Sequence, residues 1–255
     1  MGQIKKIFII QSLKTTDILK SGEELNKKLS TKIPTDFKNL ETNIELLEQI
    51  DKIKDDITLS KDTYVIHFDC HGNEDGIGLF DRKDNLTFIK WEDLRDKFRE
   101  IYLATKRKPI ISFSSCEGLN VVKLIAEFKP CPYYLITGSF RKIGFLDSVN
   151  GYDVFYEYID NGESADKAME VTRQRYPKLE FAAFTTERLV EIGWNGYFNT
   201  QLTQAKVKER KADIISQIID IKGSVSKEEI AFIDKGLSKE SAEEDHKRYI
   251  KIFFS

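Results

Sequence analysis

Pro109 to Gly118 reads P-I-I-S-F-S-S-C-E-G, a short apolar run that stops on small polar residues, a cysteine, an acidic residue and a glycine. Ile110 to Phe113 fits a strand buried on both faces of a parallel sheet, and Leu119 to Phe128 fits the helix that follows it. Cys116 then falls at the carboxyl end of a strand and just ahead of a helix N-terminus, where unpaired N–H groups and the helix dipole favour an anion. Upstream, a second strand, Thr63 to Asp69, ends in the same manner on Cys70, His71 and Gly72. One strand end offers a thiol and the other an imidazole, the pair needed for a cysteine nucleophile with a histidine base.

Outward from these two strands the chain alternates strands and helices. Lys6 to Gln11 is an apolar strand, followed by the polar loop Ser12 to Asp17 and a helix over 21–30, with Ser21 and Glu24 spaced as a capping box. A short edge strand fits Phe37 to Leu40. Ile44, Leu47, Ile50 and Ile53 define one face of a helix over 42–55. Ile77 to Phe80 and Leu86 to Ile89, joined by D-R-K-D-N, read as a hairpin. Trp91 to Ala104 is amphipathic and runs into the basic, proline-stopped end Lys106-Arg107-Lys108-Pro109. Further strands fit Tyr133 to Thr137 and Phe181 to Thr185, with helices over 152–159 and 164–176. The rhythm predicts an α/β sandwich with a mainly parallel sheet, whose ligands gather beyond the carboxyl ends of the strands. That edge carries Asp17, His71, Cys116 and Ser139. From Asn199 onward Lys, Glu and Gln dominate, and the chain divides into an α/β domain over 1–198 and a helical appendage over 199–255.

Composition excludes several classes. The 255 residues are 40% hydrophobic and 32% charged with a net charge of −2, the profile of a soluble globular protein without a polyanion-binding signature. No nucleic-acid or membrane partner is expected. The three cysteines, at 70, 116 and 131, form no C-x-x-C pair, which fits a reducing compartment, and a cytoplasmic location follows. Gly2 invites a myristoylation reading, but Lys6 stands where that motif wants Ser or Thr.

A strand ending in H-G, followed about fifty residues later by one ending in S-S-C-E-G, resembles the caspase-like cysteine peptidases. Ser114 and Ser115 stand where true caspases carry Gln and Ala, so the resemblance is to the wider group. W-E-D-L after Ile89, and the run D-S-V-N-G-Y-D-V-F-Y-E-Y-I-D-N-G-E-S-A-D-K-A from Asp147 to Ala168, resemble the CHAT members related to separase. The resemblance covers roughly residues 4–185. It implies a three-layer caspase-like sandwich with a mainly parallel six-stranded sheet, and a cysteine endopeptidase that needs no cofactor or metal. Cys116 would be the nucleophile, His71 the base and then the acid, and the backbone N–H groups of Gly72 and Cys116 the oxyanion donors. The substrate pocket would draw on Asp17, Ser114, Ser139 and Asp147, and its carboxylates imply cleavage of proteins or peptides after Arg or Lys, although Arg141 close by argues for an acidic residue instead. Stand-alone bacterial relatives of this look imply activation by a small molecule or partner protein in anti-phage immunity. The loops 73–78 and 140–150 are the segments expected to order on activation.

Other readings attach to the same residues. A catalytically idle caspase-like module that binds a signal or partner is the main alternative. His67, Asp69 and His71 alternate on one face of a strand and could ligate a metal, or support the sheet and the His71 ring. Cys70 and Cys131 read as core, and His246 as a solvated residue of a charged helix.

Overall fold

The computed structural model of the chain describes residues 3–58, 63–106, 109–125 and 130–254. In chain order its elements are β1 (Ile4–Ser12), α1 (Ser21–Leu29), β2 (Thr35–Asn39), α2 (Asn43–Thr58), β3 (Thr63–Gly72), β4 (Gly76–Phe80), β5 (Leu86–Lys90), α3 (Trp91–Thr105), β6 (Ile110–Phe113), β7 (Leu135–Gly138), α4 (Phe145–Asp160), α5 (Ala165–Arg175) and β8 (Ala182–Thr185). The main sheet has the order β2-β1-β3-β6-β7-β8, with every neighbour parallel except β8 against β7. The predicted six-stranded sheet is present, extended by the antiparallel β4–β5 hairpin on the end of β3.

Strand alternation feeds two helical layers. Ile7, Ile9 and Val65 join the core formed by α1, α4 and α5, in which Leu25, Tyr152, Phe155 and Ala168 are buried. Phe68 points to the opposite layer, where its ring meets Phe98 of α3. Central strands buried on both faces read as near-continuous apolar runs, which is why β1, β3 and β6 are visible in the sequence. The last residues of β3 run beyond its neighbour. β3 pairs with β6 only as far as Phe68 opposite Phe113, then continues to His71 and Gly72, which pair with Gly78 and Ile77 of the hairpin. The hairpin is tied back to β1 where the Phe80 N–H donates to Ser12 Oγ at 2.9 Å.

Several local expectations change. Ser21 does not cap α1: Lys20 is the N-cap, no side chain caps it, and the Ser21 hydroxyl donates to Asp69 instead. Ser21 is itself the first residue of the helix, with its hydroxyl turned to the buried carboxylate. The buried face of α2 runs through Leu46, Ile50, Ile53 and Ile57, leaving Ile44 exposed. The segment after Cys116 is a 3-10 helix, Gly118–Ile125, where an α-helix was expected, and residues 126–128 of that expectation lie outside the described ones. The basic run at 106–108 ends α3 with Lys106 in the left-handed region at φ 55°, and its Arg107 and Lys108 also lie outside them. α4 starts at Phe145, earlier than read, because Ser148, Val149 and Gly151 are buried against the sheet and need helical backbone bonds there.

This unit ends at Thr186, and a second compact unit is built from Glu187 onward. Its helices are α6 (Thr186–Gln201), α7 (Gln204–Lys222), α8 (Lys227–Gly236) and α9 (Lys239–Phe253). Thr203, Ser226 and Ser238 cap the last three, Ser226 with Glu229 as a full capping box, and Gly223 closes α7 at φ 80°. His246 is not a solvated residue. Its ring lies 4.5 Å from that of Trp194, and burial lowers its pKa. Among the described residues no helix is long and apolar enough to cross a membrane.

Candidate active site

The strand ends converge on one small cavity. Past Phe113 the Ser114 N–H extends the β3–β6 ladder by donating to the Phe68 carbonyl at 2.7 Å, and the buried Tyr152 hydroxyl donates to the Phe113 carbonyl at 2.8 Å. The chain then turns sharply through Glu117, a non-glycine residue at φ 58°, and Gly118. A Cβ on Gly118 would lie 2.4 Å from the Phe113 Cβ, so only glycine lets the turn fold back on its own strand. This turn presents Cys116, whose thiol is half-buried and unbridged.

His71 and Cys116 line the same cavity of about 130 Å³, together with Ser21, Asp69, Ser114, Ser148 and the apolar walls Leu13, Ile143 and Phe145. Their two backbones are in close approach: a Cβ on Gly72 would sit 2.6 Å from the Cys116 carbonyl oxygen and 3.0 Å from the Ser115 Cβ. Among the described residues no hydrogen-bond acceptor takes the Cys116 backbone N–H. A backbone N–H without an acceptor is able to donate to an anionic oxygen.

The His71 ring is half exposed, edge-on to Phe80 at 5.3 Å, and its Nε2 lies 2.9 Å from Asp17 Oδ2. An ionised carboxylate only accepts, so Nε2–H donates and Nδ1 is the basic nitrogen of the neutral ring. Partial burial opposes ionisation of Asp17, but the hydrogen bond and charge of His71 and the Lys14 N–H outweigh it and hold the carboxyl below its usual range. The Asp17 loop is itself pinned to the hairpin turn, where the Thr15 N–H and hydroxyl donate to Asp84 at 2.6 and 2.9 Å.

Of the residues expected to read substrate, Ser114 lines the cavity, with its hydroxyl against that of Ser148. Asp17 joins the site through His71. Ser139 is buried in the turn, where its side chain accepts from the Arg141 N–H and its carbonyl from the Leu119 N–H. Asp147 is half-buried in the first turn of α4 and is not on the cavity wall. The three alternating β3 residues take separate partners: His67 Nδ1 lies 2.8 Å from the Tyr156 hydroxyl, Asp69 receives Ser21 and Gly22, and His71 meets Asp17. Burial drives the His67 pKa down to about 3 and the Cys70 thiol far up, so both are neutral core groups. Asp69 and Ser148 were not foreseen as cavity residues. An acidic residue inside the apolar run V-I-H-F-D-C was the available signal for the first.

No family model matches the chain, and no curated protein matches it. Among solved structures it is similar to the Drosophila initiator caspase Dronc, at 8% identity over 71% of this chain and 79% of that one, with a TM-score of 0.52. It is also similar to Raptor of Chaetomium thermophilum, at 11% identity over 76% of this chain and 22% of Raptor, with a TM-score of 0.39. The architecture, a mostly parallel sheet between helical layers followed by C-terminal helices, is the caspase-like fold.

Proposed function

We propose that the chain is a cysteine endopeptidase of the CHAT and separase-like branch, using Cys116 as nucleophile and His71 as general base and acid, and cleaving after Arg or Lys. The observation that carries this reading is that one cavity, at the carboxyl edge of a caspase-like sheet, is lined by both residues while the Gly72 backbone packs against Cys116. In the proposed reaction the Cys116 thiol passes its proton to His71 Nδ1 and Sγ attacks the scissile carbonyl. The oxyanion rests on the N–H groups of Gly72 and Cys116. Collapse breaks the C–N bond, the amine leaves with the proton from the imidazolium, and water then hydrolyses the thioester. Asp17 holds the ring in the tautomer this sequence needs. The W-E-D-L segment opening α3 and the Asp147 to Ala168 run support the branch.

The test is hydrolysis of fluorogenic peptides ending in Arg, Lys, Asp or Leu by wild type and Cys116→Ala. Cleavage after Arg that disappears in the variant is expected. Cleavage by both proteins alike refutes the nucleophile, and cleavage after Asp refutes the basic preference. A second reading rests on the His71–Asp17 pair: among the described residues no hydrogen bond joins His71 to Cys116, as fits a protease at rest until a ligand or partner acts, or a binding module. In that reading the activator, in a bacterial cytoplasm under phage attack, turns the ring toward the thiol.

A further inference from the structure

Asp69 is a buried acid on the wall of the candidate site. It is 1% exposed, yet it lines the cavity shared by His71 and Cys116. Its carboxylate receives the Ser21 hydroxyl and the Gly22 N–H. A carboxylate offers about four lone-pair sites, and these two donor groups leave room for another. No lysine or arginine among the described residues pairs with it. Burial still outweighs its donors and raises its pKa to about 6. A neutral Asn could pin β3 to the start of α1 without that cost, so the structural role alone does not account for an acid here. His71 relieves that charge only in part; a cation would complete the pairing, and the carboxylate shares its cavity with the apolar Leu13, Ile143 and Phe145 and with the hydroxyl residues Ser114 and Ser148.

We propose that Asp69 is the specificity-determining acid of this site, receiving the guanidinium of a substrate arginine whose methylenes lie along Leu13, Ile143 and Phe145. This rests on the endopeptidase reading for the meaning of the substrate, and it removes Asp17 from that role, since Asp17 serves His71. The test is made on the full chain without peptide cleavage. Alkylation of Cys116 by iodoacetamide is followed by peptide mass, with the buried Cys131, which is not on the cavity wall, as internal control. n-Butylguanidine is expected to slow alkylation, whereas n-butylurea, the same shape without charge, is not. Asp69→Asn should weaken the guanidine effect about 10²–10³-fold, as loss of one member of a buried charge pair does. Asp17→Asn should keep it. Equal protection by guanidine and urea, no protection by either, protection that survives in folded Asp69→Asn, or protection lost in Asp17→Asn would each overturn the assignment. If Asp69→Asn does not fold, the wild-type contrast and Asp17→Asn still decide. Guanidine protection together with cleavage that persists in Cys116→Ala would refute the peptidase nucleophile and leave the acid site standing.

Discussion

Replacing Asp69 by Asn should make the protein more stable at neutral pH, and by an amount that depends on pH. In the fold the Asp69 carboxyl titrates near 6, against 3.8 for the free group, because burial penalises the charged form more than its donors relieve it. The folded state therefore holds this proton more tightly than the unfolded chain. Its contribution is fully present below about pH 4 and is lost as pH rises through 6. A shift of this size corresponds to about 3 kcal/mol at pH 7 and above. Asn resembles the protonated acid: its Oδ1 accepts from the Gly22 N–H, and its amide can donate to the Ser21 hydroxyl. The difference between variant and wild type should be near zero at pH 4 and reach about 3 kcal/mol above pH 7. Urea unfolding followed by Trp91 fluorescence in a Trp194→Phe background reports the sandwich alone; groups titrating alike in both proteins cancel, and the same pair in a His71→Gln background removes His71, which is coupled to Asp69. A flat difference across this range, or an Asn variant less stable at pH 7.5, would refute the reasoning. The price of holding an unpaired acid is the kind of cost expected where a site needs strain.

The geometry sets three further outcomes. Gly72→Ala places a methyl 2.6 Å from the Cys116 carbonyl oxygen; overpacking against backbone should cost about 1–3 kcal/mol in urea unfolding and displace Cys116, abolishing hydrolysis. Asp17→Asn should lower kcat about tenfold or more on every peptide alike, leaving the preference before the cut unchanged; a changed preference would return Asp17 to substrate reading. Tyr152→Phe leaves the buried Phe113 carbonyl without its 2.8 Å donor and should destabilise the sandwich by about 1–3 kcal/mol, read as a shift of the urea midpoint at constant slope.

The alternating strands and helices were legible because β1, β3 and β6 are apolar on both faces and stop on polar residues, a pattern set by burial alone. The same pattern located Cys116 and His71, since strand ends share one edge of a parallel sheet. Local boundaries were less legible. Ser21 has the sequence of a cap, but a carboxylate 48 positions away in the chain takes its hydroxyl. The face of α2 turned because its partners are strands and α3, not its own periodicity.

The sequence by itself determined which residue types stand at the strand ends and the order in which they arrive, because those are set by hydrophobic period and chain direction. Only the tertiary structure decided their partners. It put Asp17 on His71, left Asp147 off the cavity wall, and put Asp69 on it, because β3 outruns β6 by the residues that carry the acid and the imidazole while α1 and α4 supply the facing Ser21 and Ser148. Those contacts join segments far apart in the chain, and no local period encodes them.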